Sequence, residues 1–428
     1  MNYRIIEEKN LGRMELLSLL FATPLLFFIA GIGFAISRAR YFDIIEGMKN
    51  IITSPTILFT DFIKVGGIEA AFINVALIGF FNVYLLYIYR LKINGVLIAA
   101  FFTVIGFSFF GKNVYNILPI YLGGYIYTKY QKISFKDVIV VIMFGTALAP
   151  MISEISFSGF LPWPIAVFVA VLTGIFVGFV ILPLSSHMLK FHDGYNLYNI
   201  GFTSGIIGMI FTSLLRNLGI AVGPANTVSN ENNIIIIVVL LLIFIGFLIT
   251  GFILNPRTLK DYFGIFEYKG KLITDFTHKV GYGITFFNMA IMGIFSMAYV
   301  LLIGGTLNGP TLAGVFTIVG FSALGKHIKN CLPVVLGTIV TALLFQFELS
   351  STNIIIAVLF STTLAPIAGT YGPMAGFISG ILHLILVTNV GVVHGGINLY
   401  NNGFSGGIVA SVMIPVIDAF KKENNHAA

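Results

Sequence analysis

From Ile234 to Leu254 the chain runs for 21 residues without a charge, between Asn233 and Asn255. About 20 apolar residues in a helix cross the hydrocarbon core of a bilayer, so this run by itself predicts a transmembrane helix. It does not alternate apolar with polar residues as a barrel strand does, and a helix satisfies its backbone hydrogen bonds internally, as lipid requires. Composition extends the reading to the whole chain. The hydrophobic fraction is 57%, the charged fraction 10% and the mean hydropathy +0.97, whereas a soluble domain carries about a quarter charged residues. The expected fold is all-α, a polytopic transmembrane helical bundle of about 12–14 spans in a cell (plasma) membrane. The high Ile, Asn and Phe content suggests an AT-rich bacterial genome.

The first apolar segment, Met14 to Ser37, follows a mixed-charge head of Arg4, Glu7, Glu8, Lys9 and Arg13. No small-residue cleavage motif closes it, so it reads as a retained span. The net charge is +7, but the 24 Lys and Arg are scattered through short loops. That distribution suits lipid headgroups and membrane topology, and it excludes the clustered basic patch of a nucleic-acid binder. The single cysteine, Cys331, cannot form an internal disulfide, and inside an apolar segment a thiol packs as a small hydrophobe.

The chain repeats itself. Thr103 to Pro119 (TVIGFSFFGKNVYNILP) and Thr317 to Pro333 (TIVGFSALGKHIKNCLP) share nine of 17 positions at an offset of 214, half of 428. His192 to Gly205 (HDGYNLYNIGFTSG) and His394 to Gly407 (HGGINLYNNGFSGG) share nine of 14. Asp61-Phe62 matches Asp275-Phe276, Asn74 matches Asn288, and Thr146 to Pro150 matches Thr362 to Pro366, all in the same order. The chain therefore divides into a first transmembrane repeat, 1–220, and a second, 221–428. From proline to histidine the first half holds 14 extra residues, expected as a loop insertion around Glu154 to Trp163. Duplication on this scale is a transporter plan more than a solenoid.

Seven apolar segments can be drawn in each half, and an odd number inverts the second half relative to the first. With the N-terminus inside, 18 Lys plus Arg fall on the inner side and 6 on the outer, the bias the positive-inside rule demands. Inverted topology with both termini cytoplasmic is the expectation; the alternative is parallel halves with the N-terminus outside, which arises if only 114–128 and its counterpart are re-entrant and divides the Lys plus Arg 16 against 8. The segments at 95–110, 114–128, 311–325 and 331–345 are short for a span and read as discontinuous or re-entrant.

Breaks in membrane helices free backbone groups that only protein or a wet cavity can satisfy, and transporters bind solute at such breaks. The motif GFSxxGKxxxNxLP supplies Ser108, Lys112 and Asn116 in one half and Ser322, Lys326 and Asn330 in the other. Two lysines related by a pseudo-twofold axis would attract an anion; the competing reading is that each snorkels from a short helix end to a headgroup. The motif HxGxNLYNxGFxxG supplies His192, Asn196, Tyr198 and Asn199, matched by His394, Asn398, Tyr400 and Asn401. Asparagine donates and accepts, which suits a polar solute, and it equally builds turns. The twelve candidate solute-binding residues are Ser108, Lys112, Asn116, Ser322, Lys326, Asn330, His192, Asn196, Asn199, His394, Asn398 and Asn401. One histidine per motif without a nearby carboxylate or cysteine does not make a metal site. Thr146 to Pro150 and Thr362 to Pro366 read as helix ends or kinks, and Asp61 and Asp275 as solvated loop charges. Glu69 reads as a partly buried acid and His383 as the ionisable group deepest in a span.

No GxxxxGK[ST], HExxH or GxSxG motif occurs, so no cofactor is implied and no enzymatic nucleophile is visible. At GFSxxGK and NLYNxGF the chain resembles a bacterial membrane-protein family known as a domain of unknown function. Its seven-plus-seven plan is similar in architecture to nucleobase and anion transporters, whose substrate lies between the third and tenth segments; here those segments carry Lys112 and Lys326. The expected function is transport of a small polar solute or anion by a secondary transporter or channel. The alternative is a membrane-embedded enzyme acting on a lipid-linked or phosphate-containing substrate. Expected partners are the lipid bilayer and a small solute, and a homo-oligomer is compatible with the sequence.

Overall fold

The computed structural model describes residues 11–38, 41–220, 222–223 and 225–426; the head from Arg4 to Lys9 lies outside them. The first half comprises α1 (Arg13–Ser37), α2 (Tyr41–Thr53), α3 (Phe62–Ile88), α4 (Gly95–Phe107), α5 (Leu118–Gln131), α6 (Ile139–Gly145), α7 (Ala149–Phe157), α8 (Trp163–His192) and α9 (Asn199–Asn217). The second comprises α10 (Ile234–Leu254), α11 (Thr258–Asp261), α12 (Phe276–Lys279), α13 (Gly281–Leu302), α14 (Gly309–Phe321), α15 (Ile328–Leu344), α16 (Thr352–Ser361), α17 (Ala365–Tyr371), α18 (Pro373–Val390) and α19 (Asn401–His426). No strand forms among the described residues; three isolated bridges are the sole β pairings there.

Nine helices among the described residues are long and apolar enough to cross a membrane, counting α6–α7 and α16–α17 as one each. The outer ones turn large apolar side chains outward, among them Trp163, Phe168, Phe176, Leu242, Ile249 and Ile378. A water-facing surface would not carry so many, and the chain is an all-α, multi-pass membrane protein.

Helices α4 and α14 are different. Each has 13 residues, about 20 Å at 1.5 Å per residue, too short to span. Every residue of α14 and every residue of α4 but the half-buried Val96 is buried, as an all-round apolar helix requires. They pack antiparallel: a Cβ on Gly106 would lie 3.0 Å from Ala313 Cα, and one on Gly320 would lie 3.1 Å from Ala99 Cα. The rings of Phe102 and Phe316 stack between them, centroids 6.4 Å apart.

Buried helix ends leave backbone N–H groups that need acceptors. Asn94 Oδ1 accepts from Leu97 N (3.0 Å) and Asn308 Oδ1 from Thr311 N (3.2 Å). A second cap comes from the opposite half. Asp61 Oδ1 accepts from Ile63 N (2.9 Å) in its own half and from Gly309 N (3.0 Å) in the other, while Oδ2 accepts from Ser229 N (2.9 Å). Asp275 Oδ1 accepts from Thr277 N (2.9 Å) and, with Oδ2, from Gly95 N (3.1 Å each). A Cβ at Gly95 or Gly309 would stand 2.6 Å from that carboxylate, so only glycine permits the approach. Both carboxylates also face the positive end of a helix dipole.

The aspartates are thus not the solvated loop charges expected: Asp61 is fully buried because its acceptors are needed inside. Glu69 is buried more completely than expected, at 5% exposure. The 14 extra residues are not a single loop insertion. Helix α7 has 9 residues against 7 in α17, and Trp163–His192 runs 30 against 22 for Pro373–His394. Much of the difference lengthens a lipid-facing helix. The Thr-x-Leu-Ala-Pro motifs form 3-10 turns, Thr146–Leu148 and Thr362–Leu364, in the middle of a span. Helix α2 was unforeseen, because Asp43, Glu46 and Lys49 interrupt it; its Gly47 packs onto Gly66 of α3.

Replacing Asp61 or Asp275 by Ala removes a charged acceptor from two or three buried N–H groups, at a cost of roughly 2–4 kcal/mol. Either variant should melt several degrees below the parent in detergent, whereas Glu348→Ala, at an exposed position, should not. Parent-like melting of both aspartate variants would refute the cross-half capping.

Candidate functional site

The GFSxxGK turn is closed by its own polar residues. After α4 the chain reverses at Gly111 (φ 84°), and after α14 at Gly325 (φ 87°), a backbone state that favours glycine. Ser108 Oγ donates back to Val104 O, and Ser322 Oγ to Ile318 O, both at 2.7 Å. Asn116 Nδ2 donates to Gly111 O (3.0 Å) and its Oδ1 accepts from Asn113 N (2.9 Å). Asn330 does the same with Gly325 O (2.9 Å) and His327 N (3.0 Å). From outside the turn, Asn74 Nδ2 donates to Ser108 O and Lys112 O (2.8 and 2.9 Å), and Asn288 Nδ2 to Ser322 O and Lys326 O (2.7 and 2.8 Å).

What these turns hold in place is a lysine. Lys112 and Lys326 are fully buried, so neither snorkels to a headgroup. Each crosses to the other half, Lys112 Nζ donating to Tyr400 OH at 2.6 Å and Lys326 Nζ to Tyr198 OH, and Lys326 Nζ also donates to Thr362 Oγ1 of its own half at 2.7 Å. Lys112 Nζ also lies over the rings of Tyr400 (4.8 Å) and Phe107 (5.4 Å), and Lys326 Nζ over those of Tyr198 (4.4 Å) and Phe321 (5.3 Å). A hydroxyl oxygen and two ring faces are the surroundings an ammonium takes without a carboxylate. Among the described residues neither lysine forms an ion pair.

The tyrosines are placed by the NLYN turns. Asn196 Oδ1 accepts from Tyr198 N (3.2 Å) and from the Thr363 hydroxyl, while its Nδ2 donates across to Gly403 O (3.0 Å). Asn398 Oδ1 accepts from Tyr400 N (3.0 Å), and its Nδ2 donates to Gly201 O (3.4 Å). Helices α9 and α19 meet at these turns, where a Cβ on Gly201 would lie 3.0 Å from Gly403 Cα.

Between the two Lys–Tyr pairs lies a cavity of about 170 Å³, lined by the counterpart pairs Thr103 and Thr317, Phe107 and Phe321, and Tyr198 and Tyr400, with Phe144 and Phe360. Its wall is mainly aliphatic and aromatic. The lysines do not line it; they stand behind the rings.

Of the twelve expected site residues, Asn199 alone lines this cavity. Lys112 and Lys326 flank it from behind the aromatic rings, whereas Ser108, Asn116, Ser322, Asn330, Asn196 and Asn398 spend their polar atoms on the turns. His192 Nε2 bonds Asn199 Oδ1 at 3.0 Å, and the matching His394 is buried beside Asn401, whose Oδ1 has no hydrogen-bond partner. His383 bonds Asn402 Oδ1 at 3.1 Å. Around the lysines and the cavity stand five residues left out of the twelve, Tyr198, Tyr400, Phe107, Phe321 and Thr362. All five stand inside the repeated motifs, and the signal overlooked was that an aromatic residue repeated between polar ones can cage a cation.

No curated protein and no solved structure matches this chain. Residues 41–217 and 254–419 match a single family. The chain belongs to that family, described as protein of unknown function (DUF1576), and one matched segment falls in each repeat.

Proposed function

We propose that the protein is a secondary transporter or channel that moves a small solute through the cavity between its two halves. The observation that carries this reading is the reciprocal pair of buried lysines, each bonded to a tyrosine of the other half, around one cavity. Burying two lysines without carboxylates costs several kcal/mol each, as a desolvated charge or as a proton given up, a cost with no structural return where a Leu would pack as well. Intramembrane ionisable groups mark solute paths, and these two stand directly behind the tyrosine rings that line the cavity. The broken helices beside the cavity are the device by which transporters offer backbone groups at depth.

In this reading the two repeats have inverted topology in a bacterial plasma membrane, with both termini cytoplasmic. The antiparallel packing of counterpart helices α4 and α14 supports it. So does the charge bias: Lys112 had counted outside and Lys326 inside, and removing both buried lysines leaves it unchanged in direction.

Two measurements test the proposal. In proteoliposomes, Lys112→Ala and Lys326→Ala should each lower solute uptake at least tenfold while the protein stays monodisperse; undiminished flux in the double variant would refute the site. Phosphate-dependent turnover without flux would favour the membrane-enzyme alternative. For topology, Lys132 and Gln346 are counterparts with nearly the same left-handed φ, 56° and 57°, at exposed turns. In a Cys331→Ala background, Lys132→Cys should be labelled from the cytoplasm and Gln346→Cys from outside. Labelling from one side would mean parallel halves.

A further inference from the structure

The two Lys–Tyr pairs are equivalent by sequence and unequal in their bonds. Lys326 has two hydroxyl partners, Tyr198 and Thr362. The counterpart of Thr362 is Thr146, and its hydroxyl donates to Met143 O at 2.6 Å without reaching Lys112. Lys112 is left with one oxygen partner, Tyr400 OH, although an ammonium has three N–H donors. That hydroxyl accepts from the lysine, and its own hydrogen has no acceptor among the described residues. Unused donors therefore collect at Lys112 and Tyr400.

The rest of the cavity supplies little that is polar. Thr103 and Thr317 donate to Ala99 O and Ala313 O of their own helices, both at 2.7 Å, so they bring no donor. Asn199 is held by His192 and by Ser185 O (3.1 Å), and Asn402 is held through its Oδ1 by His383 (3.1 Å), which leaves its amide nitrogen as the one further donor in the wall. Around these lie Phe107, Phe144, Phe321, Phe360, Leu197 and Leu399. A space of about 170 Å³ holds about six water-sized groups.

We propose that the cavity receives a small organic monoanion, a carboxylate on a short apolar body, with the carboxylate accepting from the Tyr400 hydroxyl that Lys112 bonds from behind and the body against the phenylalanines. The inference rests on the reading of this cavity as the solute site. Ammonium and phenol donors pair with a carboxylate through charge-assisted hydrogen bonds, and the anion supplies the negative charge that the pocket lacks. An apolar wall discriminates against inorganic anions, which lose hydration there without compensation.

Butyrate, with six non-hydrogen atoms, is the probe, and butyramide is its neutral control. With purified full-length protein in detergent, butyrate should raise the apparent melting temperature and bind saturably by calorimetry. Butyramide, chloride and inorganic phosphate should do neither. Lys112→Met should weaken butyrate binding at least tenfold, Tyr400→Phe about as much, and Lys326→Met less, because two of the three donors of Lys326 are already engaged. If Lys112→Met does not fold, Tyr400→Phe keeps the ring and decides the matter. Equal binding of butyramide, phosphate or chloride, no binding of butyrate, or parent-like affinity in Tyr400→Phe would each overturn the proposal. Butyrate binding without flux in proteoliposomes would remove the transport reading and leave this one; flux of another solute without butyrate binding would do the reverse.

Discussion

The carboxylates of Asp61 and Asp275 each accept backbone N–H groups from both halves, and the centre of the molecule depends on that sharing. Two 13-residue helices cannot cross a bilayer, so their ends stop inside it, where an unpaired N–H costs several kcal/mol. Water is not there to bond them. Short polar side chains of the same half satisfy some of the groups, but the first N–H of each short helix, Gly95 and Gly309, is bonded by the other half. Neither half can complete its own buried helix alone, and the two must therefore assemble together.

The same exchange governs the lysines. A break at Gly111 or Gly325 turns the chain and delivers a lysine into the interior, where it needs an oxygen and has no acid. Its tyrosine comes from the facing half, on a turn that the opposite half also braces: Asn196 bonds Gly403 O and Asn398 bonds Gly201 O. Caps, lysines and turns are each exchanged once in each direction. The cavity lies where these exchanges converge, and any relative movement of the halves must alter the lysine contacts.

The fold was readable to the extent that hydropathy encodes it. Long uncharged runs located the spanning helices, and the 214-residue offset paired them. Helix α2 escaped because charge interrupts its apolar face, and the buried state of Asp61 because a carboxylate beside aromatic residues looks the same in a loop and in a cap. At the site, the lysines could be found because a repeated charge in an apolar segment is expensive. Their partners could not be found by spacing: Lys112 and Tyr400 are 288 residues apart, and the packing of the Gly111 turn against Leu399 brings them together. Asparagines were favoured over tyrosines as binding groups since they looked more polar. In the structure the asparagines build the turns, and the tyrosines face the space.

Repetition and its failure carry different information. Where the halves agree, in Asp61 and Asp275, Asn74 and Asn288, or Gly111 and Gly325, the residues hold backbone, and a duplicated scaffold needs them twice. Where they disagree, the scaffold places no demand. Thr362 reaches Lys326 and Thr146 does not reach Lys112, although both threonines sit in the same 3-10 turn of the same motif. The difference is thus one of conformation and not of chemistry: both sequences can make the bond, and one does. The halves share a lysine, a tyrosine and a threonine, yet the triad closes on one side only: Lys326 has two hydroxyl partners and Lys112 one.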